Sequence, residues 1–235
     1  MCTNYRPAAR DVIREQLGMP PPIFEYRSEM WPGYMAPILA IPPANKDMRL
    51  AGAGDGWVEW REAMFGLVPH FAKDRKIARH TYNARSETVA VKNSYRLPWA
   101  RRQFCLIPMC AFFEPNYESG KAVRWRIERV DQQVFTVAGI WESWAVRDEQ
   151  GQASNARLQS FSMLTINADL HPLMTRFHAP GDEKRSLAVV PATGREQWLN
   201  CSDDAAKRAF FVDLPAHEFQ AHPEPLPARR PRATA

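Results

Sequence analysis

Residues 104–128 read Phe-Cys-Leu-Ile-Pro-Met-Cys-Ala-Phe-Phe-Glu-Pro-Asn-Tyr-Glu-Ser-Gly-Lys-Ala-Val-Arg-Trp-Arg-Ile-Glu, and this stretch decides the fold class. From Phe104 to Phe113 it is apolar almost without interruption, as a strand buried on both faces would be. Val123, Trp125 and Ile127 then alternate with Arg124, Arg126 and Glu128, the period of a half-buried strand. Working outward, residues 134–141, 158–166 and 187–190 carry further short apolar runs that read as strands. Strands that follow one another with few helical segments between them favour antiparallel pairing over a βαβ sheet. The expected fold is a single α+β domain, mostly antiparallel β with a barrel-like core and flanking helices.

Upstream, Val12, Ile13, Gln16 and Leu17 sit at helical spacing, so a helix is expected over 8–17 with Gly18 as its stop. The prolines at 20–22 end it. Residues 23–41 are aromatic and proline-punctuated, which excludes a long helix. A glycine-rich tip at 52–56 separates apolar stretches around Ile38 and around 57–64, so a hairpin is expected there. Near the C-terminus one helix should run through Leu199, and a second should start at Ser202 and Asp203 and run through Phe210. Residues 222–235 combine prolines with Arg229, Arg230 and Arg232 and lack apolar periodicity. They are expected to be a disordered tail to a domain spanning 1–221.

The 235 residues, 45% hydrophobic with 8 Trp, suffice for a packed core and exclude a disordered or collagen-like chain. Neither an apolar run of about 18 residues nor a signal-peptide-like N-terminus is visible, so a cytoplasmic protein without membrane contact is expected. In a reducing compartment Cys105, Cys110 and Cys201 read as buried thiols, and their spacing supports no metal site. The net charge of +5, part of it in the arginines of the tail, is a mild bias toward anionic partners.

Cys2 follows the initiator methionine directly. A small second residue permits methionine removal, which would leave a cysteine with a free α-amine. The amine ordinarily titrates near 8 and the thiol near 8.5, so a useful fraction of each nucleophile exists near neutral pH. Together they form a 1,2-aminothiol, which condenses with an aldehyde to a five-membered thiazolidine. From position alone an incidental cysteine is the stronger reading.

Six segments in order then carry a resemblance. They are Met1-Cys2 with Tyr5, Pro32-Gly33-Tyr34-Met35-Ala36-Pro37, Phe65-Gly66-Leu67-Val68-Pro69-His70-Phe71, Asn83-Ala84-Arg85-Ser86-Glu87-Thr88, Cys105-Leu106-Ile107-Pro108 through Phe112-Phe113-Glu114, and Thr165-Ile166-Asn167-Ala168-Asp169 followed by Phe177-His178. Taken together they resemble the SOS-response-associated peptidase family of abasic-site processing proteins. The resemblance implies that Cys2 captures the ring-opened aldehyde of an abasic site in single-stranded DNA and shields the lesion. Peptidase and lyase-type activity are implied with it.

Carried over by motif, the catalytic set is Cys2, Asn83, Glu114 and His178. Asn83 would orient the sugar or the Cys2 backbone through its amide. Glu114 would move protons from the lip of its strand, and His178 would protonate the sugar ring oxygen, a task that suits an imidazole near neutral pH. His171 competes for that last role, whereas His70 and His80 read as surface or packing residues. Arg85 would hold a phosphate with its fork, with Arg6, Tyr34 and Phe71 as further DNA contacts. No cofactor or metal is needed, and a monomer is expected.

The chain departs from the family's usual pattern at Thr3-Asn4, where Gly-Arg is customary, at Pro115 and at Arg185-Ser186. Two alternatives stay open at this stage. One is a cysteine peptidase or N-terminal-nucleophile hydrolase acting through the same Cys2; the other is a noncatalytic module that binds single strands.

Overall fold

The computed structural model describes residues 2–42, 58–148, 150–211 and 214–227. They fold around one mixed sheet of eleven strands. In chain order these are β1 (Asn4–Pro7), β2 (Met35–Ala40), β3 (Glu59–Phe65), β4 (Asn83–Arg85), β5 (Phe104–Asn116), β6 (Val123–Arg129), β7 (Phe135–Arg147), β8 (Ala153–Asn167), β9 (Arg185–Leu187), β10 (Val189–Val190) and β11 (Phe219–Pro223). The helices are short: α1 (Arg10–Leu17), α2 (Arg96–Ala100), α3 (Arg195–Asn200) and α4 (Asp204–Arg208). Gly18 ends α1 with φ of 69°, and the Asp203 carboxylate caps α4 by accepting from the amides of Ala205 and Ala206. Within the described residues, no helix is long and apolar enough to cross a membrane.

Five strands close a ring of hydrogen bonds in the order β2, β3, β8, β7, β5 and back to β2. Most pairings are antiparallel, as expected. The joint between β3 and β8 is parallel, with Met64 opposite Ser160 and Phe65 opposite Phe161, and β4 also runs parallel to β8. Side-chain alternation sorts the core into two layers. Cys105, Ile107 and Met109 of β5 join Ile38, Phe65, Val137, Phe161 and Met163 in one buried cluster. Their neighbours Phe104 and Leu106 join Ala138, Ile140 and Leu164 in another, which also contains Trp99 of α2 and Trp198 of α3. Because the helices cover the second cluster, the first fills the interior of the ring, and Cys2 and Tyr5 belong to it. Each large side chain buried there contributes about 1.5–3 kcal/mol.

The hairpin expected between the stretches around Ile38 and 57–64 is present as the antiparallel pair of β2 and β3, and its glycine-rich tip at 52–56 lies outside the described residues, as does most of the tail. Two expectations need correction. The boundary expected between 221 and 222 falls inside β11, where His222 pairs with Arg126 and Pro223 with Trp125. Backbone hydrogen bonding to β6 and ion pairs from Glu224 to Arg6 and Arg124 hold this segment without apolar periodicity. Likewise β5 runs three residues beyond Phe113, so Glu114 is not at a strand lip but opposite Trp125 and 3% exposed.

Candidate active site

β1 lies antiparallel on β5, with Asn4 opposite Phe113, which carries Cys2 toward the end of β5 that bears Glu114. The thiol is buried and donates to the carbonyl of Asn4 at 3.3 Å. From the other side, β4 runs along β8 and presents Asn83, whose side-chain amide donates to the Cys2 carbonyl at 2.9 Å. The backbone of Asn83 is itself held, since its carbonyl accepts from the Tyr95 hydroxyl at 3.0 Å. Burial pushes the Cys2 thiol up to about 12, and the negative charge of Glu114 adds to the effect.

His178 reaches the same carboxylate. Its backbone amide donates to the Pro115 carbonyl at 2.9 Å, and Phe177 forms an isolated bridge with Asn116, so the loop is stitched to the end of β5. The residue takes a left-handed backbone, φ 66°, which only a minority of non-glycine residues adopt. In that position its Nε2 stands 3.2 Å from Oε2 of Glu114, both side chains being buried. Nδ1 of His178 and Oδ1 of Asn83 are buried without a hydrogen-bond partner among the described residues. Orphaned buried polar atoms are uncommon, and two of them beside a buried nucleophile mark a place prepared for a ligand.

Cys2, Asn83, Glu114 and His178 thus converge on one spot. The competing His171 does not. Its Nδ1 accepts from the amides of Leu173 and Met174, and its Nε2 faces the Leu214 carbonyl at 2.5 Å, so it pins a loop. His70 and His80 are exposed. Cys105 and Cys201 are buried free thiols and Cys110 is half-buried.

The residues expected to hold DNA divide. Arg85 shares a face of β4 with Asn83 and sits half-exposed at the rim, its guanidinium on Glu183 at 2.7 Å. Tyr34 is half-buried against the cluster that contains Cys2. Arg6 is bound to Glu224 and near Glu29, over the ring of Phe113. Phe71 is 47% exposed, with its ring edge-on to that of His70. Asn4 uses its side chain to receive Arg124 and donate to Glu29.

Sequence reasoning missed Arg185. It is 2% exposed and makes a forked pair with Glu87 at 2.8 and 2.9 Å, while also binding Glu183 and the Thr165 carbonyl. This clamp fixes the 83–88 hexapeptide to β8 and β9. Its one trace in the sequence is a charged residue two positions before the apolar run 187–190. Burial, and then the proximity of Cys2 and Glu114, raise the phenol of Tyr82, which places it at the site as well.

Known proteins resemble this chain in sequence and in fold. Abasic site processing protein YoaM of Bacillus subtilis is 34% identical over 179 residues, covering 74% of this chain and 68% of the relative. YoqW of the same organism is 36% identical over 173 residues, covering 72% and 69%. A crystal structure of a Bordetella bronchiseptica protein superposes with a TM-score of 0.79 at 30% identity, covering 96% of this chain and 100% of that one. Another, from Bacteroides thetaiotaomicron, shares the fold with a TM-score of 0.72 at 19% identity, covering 94% and 91%. The sequence profile of the SOS response associated peptidase (SRAP) family matches residues 1–224, and the chain belongs to that family.

Proposed function

We propose that this protein processes abasic sites by capturing them covalently in single-stranded DNA through Cys2, once Met1 has been removed. The observation that carries the reading is the convergence on Cys2: Asn83 holds its carbonyl at 2.9 Å, and the carboxylate of Glu114 acts on its thiol while facing His178 at 3.2 Å. The relatives named as abasic site processing proteins support the same assignment.

The chemistry follows from the groups present. His178 gives a proton to the sugar ring oxygen as its bond to C1 breaks, and the C1 hydroxyl releases its proton in turn, which leaves the free aldehyde. The α-amine of Cys2 adds to that carbon and water leaves, forming an imine. The sulfur then bonds to the same carbon while its proton ends on the nitrogen, with Glu114 as carrier, and the thiazolidine ring closes. One water is released, and nothing is oxidised or reduced. Asn83 fixes the Cys2 backbone so that amine and thiol face one carbon.

A peptidase working through a thiolate fits less well. Such an enzyme lowers the thiol's pKa by pairing it with an imidazole. Here the thiol is pushed up to about 12, and the imidazole faces Glu114.

Incubation with an oligonucleotide carrying one abasic site, followed by a denaturing gel, tests the reading. The wild-type chain should migrate as a covalent adduct and Cys2→Ala should not. Intact mass must show loss of Met1, since an acylated Cys2 nitrogen cannot form the imine. An adduct in Cys2→Ala, or a wild-type complex that dissociates on the gel, would overturn the proposal.

A further inference from the structure

Most arginines around the candidate site are already neutralised. Arg6, Arg85, Arg124, Arg126 and Arg185 all stand on carboxylates. One basic group is different. The 3-10 helix Arg75–His80 exposes Arg75, Lys76 and Arg79, none of which forms an ion pair among the described residues. Together with Gly33, Tyr34 and Met64 they line a cleft of about 250 Å³.

Both walls of this cleft are fixed. On one side Trp31, Pro32, Gly33 and Tyr34 form a tight turn: the Tyr34 amide donates to the Trp31 carbonyl at 3.0 Å, and Gly33 supplies φ of 94°. That turn is bound to β3, since Gly33 donates to the Phe65 carbonyl at 2.7 Å and Phe65 donates to that of Tyr34 at 2.8 Å. On the other side Asp74 caps the 3-10 helix at the Lys76 amide, and the Thr81 hydroxyl reaches the carbonyls of Leu67 and Ile77. The two walls meet at Phe65-Gly66, where a side chain on Gly66 would collide with the Ala78 carbonyl.

The cleft is also coupled to the chemistry. Phe65, whose backbone joins its walls, packs edge-on to Tyr5 at 5.3 Å and to Tyr82 at 5.8 Å, two tyrosines whose phenols Cys2 acts on. Tyr34 stands between this cleft and a larger recess of about 480 Å³, in which the exposed Arg27 lies over its ring at 4.4 Å. The result is an aromatic ridge with unneutralised cations on either side, the arrangement that tracks a single strand by stacking and phosphate contact.

We infer that the cleft between Tyr34 and the helix bearing Arg75, Lys76 and Arg79 binds the phosphates of the DNA strand flanking the nucleotide held at Cys2. The inference rests on the proposed capture reaction for its biological setting. Its binding test does not.

Anisotropy of a labelled, undamaged 15-mer reads the cleft independently of any crosslink. Affinity for the wild type should exceed that for Arg75→Gln/Arg79→Gln about tenfold near 100 mM salt, with the salt slope reduced by about 1.4 for two lost phosphate contacts on a single strand. Arg75→Glu/Arg79→Glu should weaken binding further, and circular dichroism confirms that both variants fold. Equal affinities and slopes overturn the inference, as does polyglutamate competing as well as the oligonucleotide at equal charge. Crosslinking supplies the second readout. With one central abasic site, the ratio of adduct formation rates for a 15-mer over a trinucleotide should fall in both variants, and an unchanged ratio again overturns the subsite. A wild type that binds the 15-mer through the cleft but never crosslinks would refute the capture reaction and leave the subsite standing.

Discussion

His178 and Glu114 face each other across 3.2 Å in a buried pocket, and the same carboxylate sits close enough to Cys2 to raise its thiol. One acidic group therefore links the proposed proton donor to the proposed nucleophile.

That linkage makes the effects of Glu114→Gln separable. Without the negative charge the thiol loses one of the two causes that push it up, so the Cys2 pKa falls toward its ordinary value. Alkylation of Cys2 by iodoacetamide at a fixed alkaline pH, followed on the N-terminal peptide by mass spectrometry, should become faster. Adduct formation with abasic DNA should become slower, by about 10²–10⁴-fold for a lost proton carrier. If both rates move in the same direction, Glu114 is not acting as argued.

The buried thiol also predicts an alkaline stability loss. Folding raises the Cys2 thiol from an unfolded value of about 8.5–9 to about 12, chiefly by burial. Below pH 9 both states hold the proton and the group contributes nothing. Between 9 and 12 the unfolded chain releases a proton that the folded chain keeps, so stability falls as pH rises, by about 1.4 kcal/mol per pH unit for each such group. Urea unfolding at pH 8, 9 and 10 should show a shallower fall for Cys2→Ala than for the wild type. Parallel curves would mean that the thiol is not held neutral by the fold.

The parts of the fold legible in the sequence are those whose burial follows a simple period. β5 to β8 announce themselves because their inner halves are apolar. The outer part of the β7–β8 hairpin does not, since residues 153–157 are exposed and pair with β7 through the main chain. β1, β4 and β11 span three to five residues and borrow their register from a neighbouring strand, so no local pattern marks them. The barrel-like core expected from the sequence is present, but the joints that close it carry no local pattern: a parallel joint at Met64 and Phe65 and the lone pairing of Leu39 with Leu106. At the candidate site, Cys2, Asn83, Glu114 and His178 are far apart in sequence and only the family resemblance grouped them. The pairing of Arg185 with Glu87 spans 98 residues, a contact that periodicity cannot show.

Arg185 should be a stability determinant rather than a DNA ligand. Its fork satisfies Glu87 in two hydrogen bonds and reaches Glu183 and Thr165, while the arginine itself is buried. Arg185→Met should lower unfolding free energy by about 2–4 kcal/mol, short of the largest values for broken buried pairs because Glu87 is half-exposed. Arg185→Lys should recover little, since an ammonium cannot make the forked contact. The pH sign follows from the partners. Burial raises Glu87, but the Arg185 hydrogen bonds outweigh it, and Glu183 is lowered first by its own bond to Arg185. Stability from the clamp is present above the unfolded carboxylate range and disappears as pH falls through the lower folded values. The gap in denaturant midpoint between wild type and Arg185→Met should therefore narrow as pH is lowered from 7 to 3, and a gap that does not narrow would contradict the assignment.

Gly66→Ala tests the geometry that joins both walls of the basic cleft. Gly66 has φ of 106°, and a Cβ there would lie 2.3 Å from the Ala78 carbonyl oxygen and 2.7 Å from its Cβ. The added methyl group thus brings backbone strain and a collision with backbone, neither of which a side-chain rotation relieves. The 3-10 helix must move away from β3, drawing Arg75 and Arg79 out of register with Tyr34. Unfolding free energy should drop by about 2–4 kcal/mol. Tryptic cleavage should rise selectively after Arg75, Lys76 and Arg79, as read by mass spectrometry of limited digests. Destabilisation without that local cleavage would place the strain elsewhere, and an unperturbed melting curve would mean that Ala78 does not rest on Gly66 as described.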